Sequence, residues 1–368
     1  MKKSVAFAIC TLVPILAGVS WAHDGDNHHR DTVVVRPFAA VEFAKLPSAV
    51  KFPEGITANP HNGDIYVSTF DARDPASIRN NKLLRFDRHG RLEATLNFGE
   101  MPLLGLAFEH GQVYIANFGA SKIQRVPANF GPSTPVEDVA TLPGIGAPGP
   151  RTVGNPDGSM DTITFGSNNF PAPNAMVFNR AGDVLFVSDS FQGAIFRIDG
   201  ACGTPCVAVT VAHDPLLATA GFPPFGANGL ALSKDESTLF VANTGDDTIL
   251  KVDLPSGPVE QTPFAQSING ADGLTRDHHG NLWVAANQAD NIVALDRNGR
   301  LLAQLGAFNG IHSNGTPNGL LFPASLVIVG DDIFVTNLAL PLTGTPDEWE
   351  QEVTRYTISR IKIPGSLR

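Results

Sequence analysis

Charge is scarce in this chain. Charged residues make up 17% of it, and no block of Lys and Arg offsets a formal net charge of -10. Nucleic acid and anionic membrane both require clustered cations, so neither is expected as a partner. Beyond the N-terminus no segment nears the roughly 18 unbroken apolar residues of a membrane helix. Helical periodicity is missing at any length, and so is a G-x-S-x-G serine-nucleophile motif. Cysteine is nearly absent: Cys10 falls in the N-terminal apolar run, leaving Cys202 and Cys206 in RIDGACGTPCVAV. A metal site of the zinc type would need a second Cys pair or an adjacent His. An even pair at short spacing in an exported chain predicts a disulfide across a hairpin turn, of modest stabilising effect because the loop is short.

The N-terminus reads as an export signal. Met1-Lys2-Lys3 is a short basic region, residues 5–18 form an apolar run too short to span a bilayer, and Ser20-Trp21-Ala22 ends in residues that signal peptidase accepts. The expected organisation is a secretory signal at 1–22, a His-rich leader at 23–30 and a single domain at 31–368, exported to the periplasm or beyond the cell. His23, His28 and His29 in the leader belong to a polar tail or a metal-scavenging one.

What the rest of the chain has is repetition. Aligned on an apolar strand, it yields EGITANPHNGDIYVST, LGLAFEHGQVYIAN, NAMVFNRAGDVLFVSDS, NGLALSKDESTLFVAN, DGLTRDHHGNLWVAAN and ASLVIVGDDIFVTN. Each unit is a short strand, a polar turn and a strand rich in Val, Ile and aromatics, followed in most units by a third and a fourth. Six units of four antiparallel strands predict an all-β fold, a six-bladed β-propeller. The sixth unit lacks a C-terminal fourth strand, so the N-terminal strand, expected in DTVVVRPFA (31–39), should pair with the last blade and close the ring.

The first strand of each blade lines a propeller's channel, so the residues that start these strands form a ring: Glu54, Leu104, Asn174, Asn228, Asp272 and Ala324. Asn318 in PNGLLF falls outside this register and belongs to the preceding connection. Two carboxylates and two carboxamides converging on an axis predict a hard-cation site of the all-oxygen kind that Ca²⁺ prefers. Asn or Asp before Gly is also a common turn former, so a single such pair says little. Glu54 has no turn advantage, and four oxygen-bearing residues share one register. The long irregular connections open on the face of the ring, where binding function is expected, with Phe222, Phe225 and Trp349 as apolar walls of the mouth. His213 and His312 lie on that side, whereas His61, His110, His278 and His279 fall in tight turns opposite.

PEG in the first unit, ANGLALSKDESTLFVAN in the fourth and ADGLTRDHHGNLWVA in the fifth resemble the senescence marker protein and gluconolactonase family, six-bladed propellers that bind a divalent metal at the channel mouth. The resemblance implies Glu54, Asn228 and Asp272 as metal ligands and Asn174 as a further Asn facing metal or substrate. Two features depart from the family pattern: its third-blade Asn usually precedes Asp-Gly, whereas here it sits in PNAMVF, and the family's substrate-contacting Arg has no counterpart. The repeats are more distantly similar to strictosidine synthase-like and NHL-repeat propellers, and many of the latter bind partners without catalysis.

Two readings follow. One is a hydrolase of lactones or related small-molecule esters, in which Ca²⁺ or another divalent cation polarises the carbonyl and Asp272 or His312 takes a proton from water. The other is a non-catalytic propeller that binds a ligand or protein partner through its long-loop face.

Overall fold

The computed structural model describes residues 34–36, 39–166, 170–200, 204–343 and 347–367. The expected signal, the leader and Cys202 lie outside them; Cys206 begins a two-residue strand. Among the described residues helix is confined to short 3₁₀ turns, and no helix is long and apolar enough to cross a membrane.

Each repeat folds into an antiparallel sheet in which chain order is also spatial order. Blade 1 comprises Pro53–Ala58, Ile65–Thr69, Asn81–Phe86 and Leu92–Gly99. The innermost strands of blades 2 to 6 are Leu106–Glu109, Pro173–Phe178, Ala227–Leu232, Ala271–Arg276 and Pro323–Val329. All six pack side by side in chain order, and the sixth meets the first. The molecule is thus a six-bladed β-propeller. Its second strands are buried on both faces, which is why IYVST, VLFVSD and LWVAA read as nearly continuous apolar runs. The core is spread between neighbouring blades: Phe186 and Ile195 of blade 3 pack with Leu230, Leu239 and Val241 of blade 4. Trp283 and Ile292 of blade 5 likewise pack with Ile333 and Val335 of blade 6.

Ring closure uses an N-terminal strand, but not the expected residues. Ala40–Lys45 pairs antiparallel with Thr357–Lys362 and supplies the fourth strand of blade 6. An outer strand needs one dry and one wet face. AVEFAK meets this across a bulge at Phe43, with Ala40 and Ala44 buried and Val41, Glu42 and Lys45 exposed, whereas DTVVV runs into three consecutive valines. Within the expected segment, Val34–Arg36 instead adds a fifth strand to blade 5, parallel to Leu301–Leu305. Cys206–Val207 extends blade 2 in the same way.

The register of the inner strands explains the recurring Asn-Gly and Asp-Gly. Pro53, Pro173, Ala227, Ala271 and Pro323 pair with the ends of their second strands, and in each case the ladder shifts before the residue three positions on. The ring residue therefore sits inside a β-bulge, which re-aims its side chain. The glycine after it makes room for the next blade: a Cβ on Gly55 would lie 2.3 Å from the Leu104 carbonyl oxygen, and one on Gly229 would lie 2.3 Å from that of Asp272. Neither glycine is there to make a turn.

Hydroxyls on the second strands tie neighbouring blades at the same level. Ser68 donates to the Leu104 carbonyl at 2.5 Å and Thr336 to that of Glu54 at 2.7 Å, the latter across the closure of the ring. Asn318 lies in a hairpin (Phe308–Ile311 with Pro317–Gly319) between blades 5 and 6, outside the inner strand, which starts with Pro323 opposite Asn337.

Candidate functional site

Glu54, Asn174, Asn228 and Asp272 come together as the sequence register expects. All four are buried, and with Leu104 they form one end of a narrow cavity on the propeller axis. Ala324 is buried but contributes nothing polar.

Three of the four are held by the residue that follows the second strand of their own blade. The Asn174 amide donates to Ser190 Oγ at 2.8 Å, and the Asn228 amide to Thr244 Oγ1 at 2.9 Å. In blade 5 the direction reverses: the Asn287 amide donates to Asp272 Oδ2 at 2.9 Å. Ser190 and Thr244 in turn donate to the carbonyls of Ala227 and Ala271 at the start of the next blade. Asn174 and Asn228 thus each commit an NH₂ to the ring, and their amide oxygens take no part in these bonds.

Four buried oxygens consequently have no hydrogen-bond partner: Glu54 Oε2, Asn174 Oδ1, Asp272 Oδ1 and Asn287 Oδ1. A buried acceptor without a donor costs about 1–3 kcal/mol, and more when charged. The carboxyls respond accordingly. Burial pushes Asp272 up to about 7, with the amides of Asn287 and Asn228 pulling the other way. Glu54 is raised well above its ordinary value, first by burial and then by the charge of Asp272. No Lys, Arg or His lines the cavity to balance them.

This donor set fits a hard divalent cation. It consists of oxygens only, from two carboxylates and two or three amides, the chemistry that suits Ca²⁺ rather than zinc. Among the described residues no cluster of three or more His, Cys, Asp and Glu side chains offers an alternative metal site.

Above the oxygens the walls are apolar. Phe70, Pro223, Phe225, Phe322, Leu338, Leu340 and Leu342 surround the cavity. Phe70, Phe118, Phe191 and Phe225 form a closed circuit of ring contacts, with centroids 5.3, 5.7, 5.6 and 6.3 Å apart in turn. Of the expected wall residues only Phe225 lines the cavity. Phe222 is exposed, and Trp349, also exposed, packs edge-on against Phe308 at 5.7 Å. His312 sits in the exposed turn of the hairpin between blades 5 and 6, and His213 is exposed with Nε2 3.2 Å from the Gly146 carbonyl. Neither histidine lines the cavity.

Asn287 was not singled out by the repeat pattern, because it looks like the terminal Asn of its unit, as Asn243 is of blade 4. The turn in blade 5 is one residue shorter: Arg276 pairs with Leu282, whereas Leu232 pairs with Leu239. Asn287 therefore matches Thr244, one position further on, and reaches the cavity. The phenylalanines had a signal too. Phe70 and Phe118 directly follow IYVST and YIAN, one residue past the point where the repeat was cut.

Fold and cavity together define a six-bladed propeller with an oxygen-lined, apolar-walled pocket on its axis. Residues 222–307, which carry Asn228, Asp272 and Asn287, match the SMP-30/Gluconolactonase/LRE-like region, so the resemblance read from the fourth and fifth units holds there. A lactonase (Lactonase drp35) from Staphylococcus saprophyticus is 33% identical over 86 residues, 22% of this chain; the match spans about a quarter, 26%, of that relative. Among solved structures, the calcium-binding protein regucalcin from Agrobacterium tumefaciens superposes with a TM-score of 0.58 at 15% identity, covering 90% of this chain and 98% of its own. A gluconolactonase from Xanthomonas campestris gives 0.55 at 15%, covering 88% and 89%. At such identity these two structures speak to the fold alone.

Proposed function

We propose that this chain is an exported hydrolase of lactones or related esters that works with a divalent cation, Ca²⁺ by preference, held by Glu54, Asn174, Asn228 and Asp272. The observation that carries the reading is the group of buried, donorless oxygens at one end of an axial cavity. The match of blades 4 and 5 to the gluconolactonase-like region supports it, as does the lactonase similar to part of the chain. Asn287 lines the same cavity and holds Asp272 through its amide, its own Oδ1 lying beside Gly270. Export rests on the basic and apolar pattern of residues 1–22.

A cation bound there would polarise the substrate carbonyl and stabilise the negative charge that gathers on its oxygen. The protein's own groups supply the rest. Asp272 Oδ1 takes a proton from water, and the Asn287 amide holds Oδ2 so that Oδ1 stays directed into the cavity. The water oxygen bonds to the carbonyl carbon, the acyl carbon–oxygen bond breaks, and the departing alkoxide regains the proton, so a lactone leaves as its hydroxy acid. Apolar walls keep bulk water out and strengthen each electrostatic contact inside. His312 has no part in this scheme, since it does not line the cavity.

The test is acid release from a panel of lactones and aryl esters before and after chelation, with calcium titrated calorimetrically into the chelated protein. Turnover that chelation abolishes and calcium restores is the expected result. Calcium binding with no turnover on any substrate would favour the non-catalytic propeller instead.

A further inference from the structure

The cavity has two unlike ends, and the difference specifies the kind of substrate. We infer that, within the hydrolase reading above, on which this inference rests, the substrate is a neutral lactone or ester with an apolar chain or ring, not a polyhydroxylated sugar lactone.

Much of the polar capacity is engaged before any ligand arrives. The amides of Asn174, Asn228 and Asn287 each give an N–H to Ser190, Thr244 and Asp272 respectively. The hydroxyl of Thr244, the one hydroxyl among the lining residues, both accepts from Asn228 and donates to the Ala271 carbonyl. The buried groups without any partner at that end are acceptor oxygens, suited to a cation and the carbonyl it would bind. The remaining walls offer side-chain carbon only: Phe70 of blade 1, Leu338, Leu340 and Leu342 after the second strand of blade 6, and Phe225 and Phe322 from the connections. A sugar lactone would bring several hydroxyls against this surface and leave them without partners, which a site of this kind rejects. An anionic substrate would meet two carboxylates and no Lys, Arg or His.

The arrangement also sets orientation. Blades 3, 4 and 5 carry a polar residue after the second strand (Ser190, Thr244, Asn287), whereas blades 6, 1 and 2 carry Leu338, Phe70 and Phe118. With its carbonyl toward the oxygens of Asn174, Asn228 and Asp272, a substrate lays its chain against blades 6 and 1.

The experiment is a homologous series on the purified protein with calcium present: δ-valerolactone, δ-octalactone and δ-decalactone against glucono-δ-lactone, followed by acid release. Binding is read in parallel by displacement of the neutral apolar fluorophore N-phenyl-1-naphthylamine. The expected result is a kcat/KM that climbs up to about fourfold per added methylene until the pocket is full, with glucono-δ-lactone on the order of a hundredfold below δ-decalactone. Leu340→Asn should flatten that slope. Preference for glucono-δ-lactone, or a flat slope in an active enzyme, overturns the inference and leaves the hydrolase reading standing. If no lactone turns over, the hydrolase reading falls, and displacement decides the pocket's preference: affinity rising with chain length supports it, and no dependence on chain length refutes it.

Discussion

Replacing Asp272 by Asn separates a cation ligand from a structural turn residue, because the two roles move stability in opposite directions. The side chain keeps its shape, and an Asn oxygen can still accept from the Asn287 amide as Asp272 Oδ2 does at 2.9 Å. What disappears is a buried carboxylate with an unpartnered oxygen and no cation beside it. Burial lifts this carboxyl from 3.8 to about 7, which at about 1.4 kcal/mol per unit bounds the cost of its ionisation at about 4 kcal/mol. The folded value lies above the unfolded one, so the folded state holds the proton more tightly. Stability of the cation-free protein therefore falls as pH rises from about 4 to about 7, and the full cost is present above that window. In chelator at pH 8, Asp272→Asn should melt above the wild type, by up to about 8 °C if each kcal/mol is worth on the order of 2 °C in a domain of this size. At pH 5 most of the difference should vanish. Calcium at a hundred times its Kd should add about 2.7 kcal/mol to the wild type and much less to the variant. The assay is a set of calorimetric melts across pH, with and without calcium. A variant that melts below the wild type in chelator at pH 8, with the same calcium increment, would refute the reasoning and return Asp272 to a purely structural role.

Other perturbations probe the scaffold and the limits of the site. Gly229→Ala puts a methyl 2.3 Å from the Asp272 carbonyl oxygen and 2.4 Å from the Leu274 nitrogen, both backbone; a loss of about 1–3 kcal/mol is expected in denaturant melts, whereas Gly149→Ala, with nothing within 4 Å, should stay near neutral. Asp290, in the left-handed conformation at φ 51°, accepts from the Phe322 amide at 2.8 Å, and burial, with a smaller contribution from Glu350, raises its carboxyl to about 6. Asp290→Asn keeps that acceptor and suits that conformation, so the variant should be the more stable above pH 6, by at most about 3 kcal/mol, with the gap closing below about pH 4 in pH-dependent melts. His312→Ala should leave kcat/KM for any lactone within about twofold, since His312 sits in an exposed turn that does not line the cavity; a loss of a hundredfold would place the proton acceptor there after all.

Much of the architecture was legible because propeller physics is local. Each blade is a meander of hairpins, and hairpins announce themselves by period-two apolar runs and turn residues a few positions apart. The ring could be located by counting within each repeat, and the structure places Glu54, Asn174, Asn228 and Asp272 around one cavity. Ring closure was legible in principle but not in register, since 31–39 and 40–45 are both short β-prone stretches and only the neighbour each one meets distinguishes them. The role of the glycine in Asn228-Gly229 was not legible for a related reason: as a dipeptide Asn-Gly also suits a turn, and only the carbonyl of the adjacent blade reveals that Gly229 makes room for a crossing backbone.

The sequence by itself determined the repeat, the number of blades, the polarity of the ring and the scarcity of cations, because these depend on residue type and spacing along the chain. Tertiary structure alone decided which oxygens stay unpartnered, since that depends on where Ser190, Thr244 and Asn287 turn the amides beside them. It also decided that His312 stands outside and that leucines and phenylalanines from four connections share one wall. Residues far apart in the chain meet there because six blades wrap one axis, and a distance across that axis leaves no trace in local spacing.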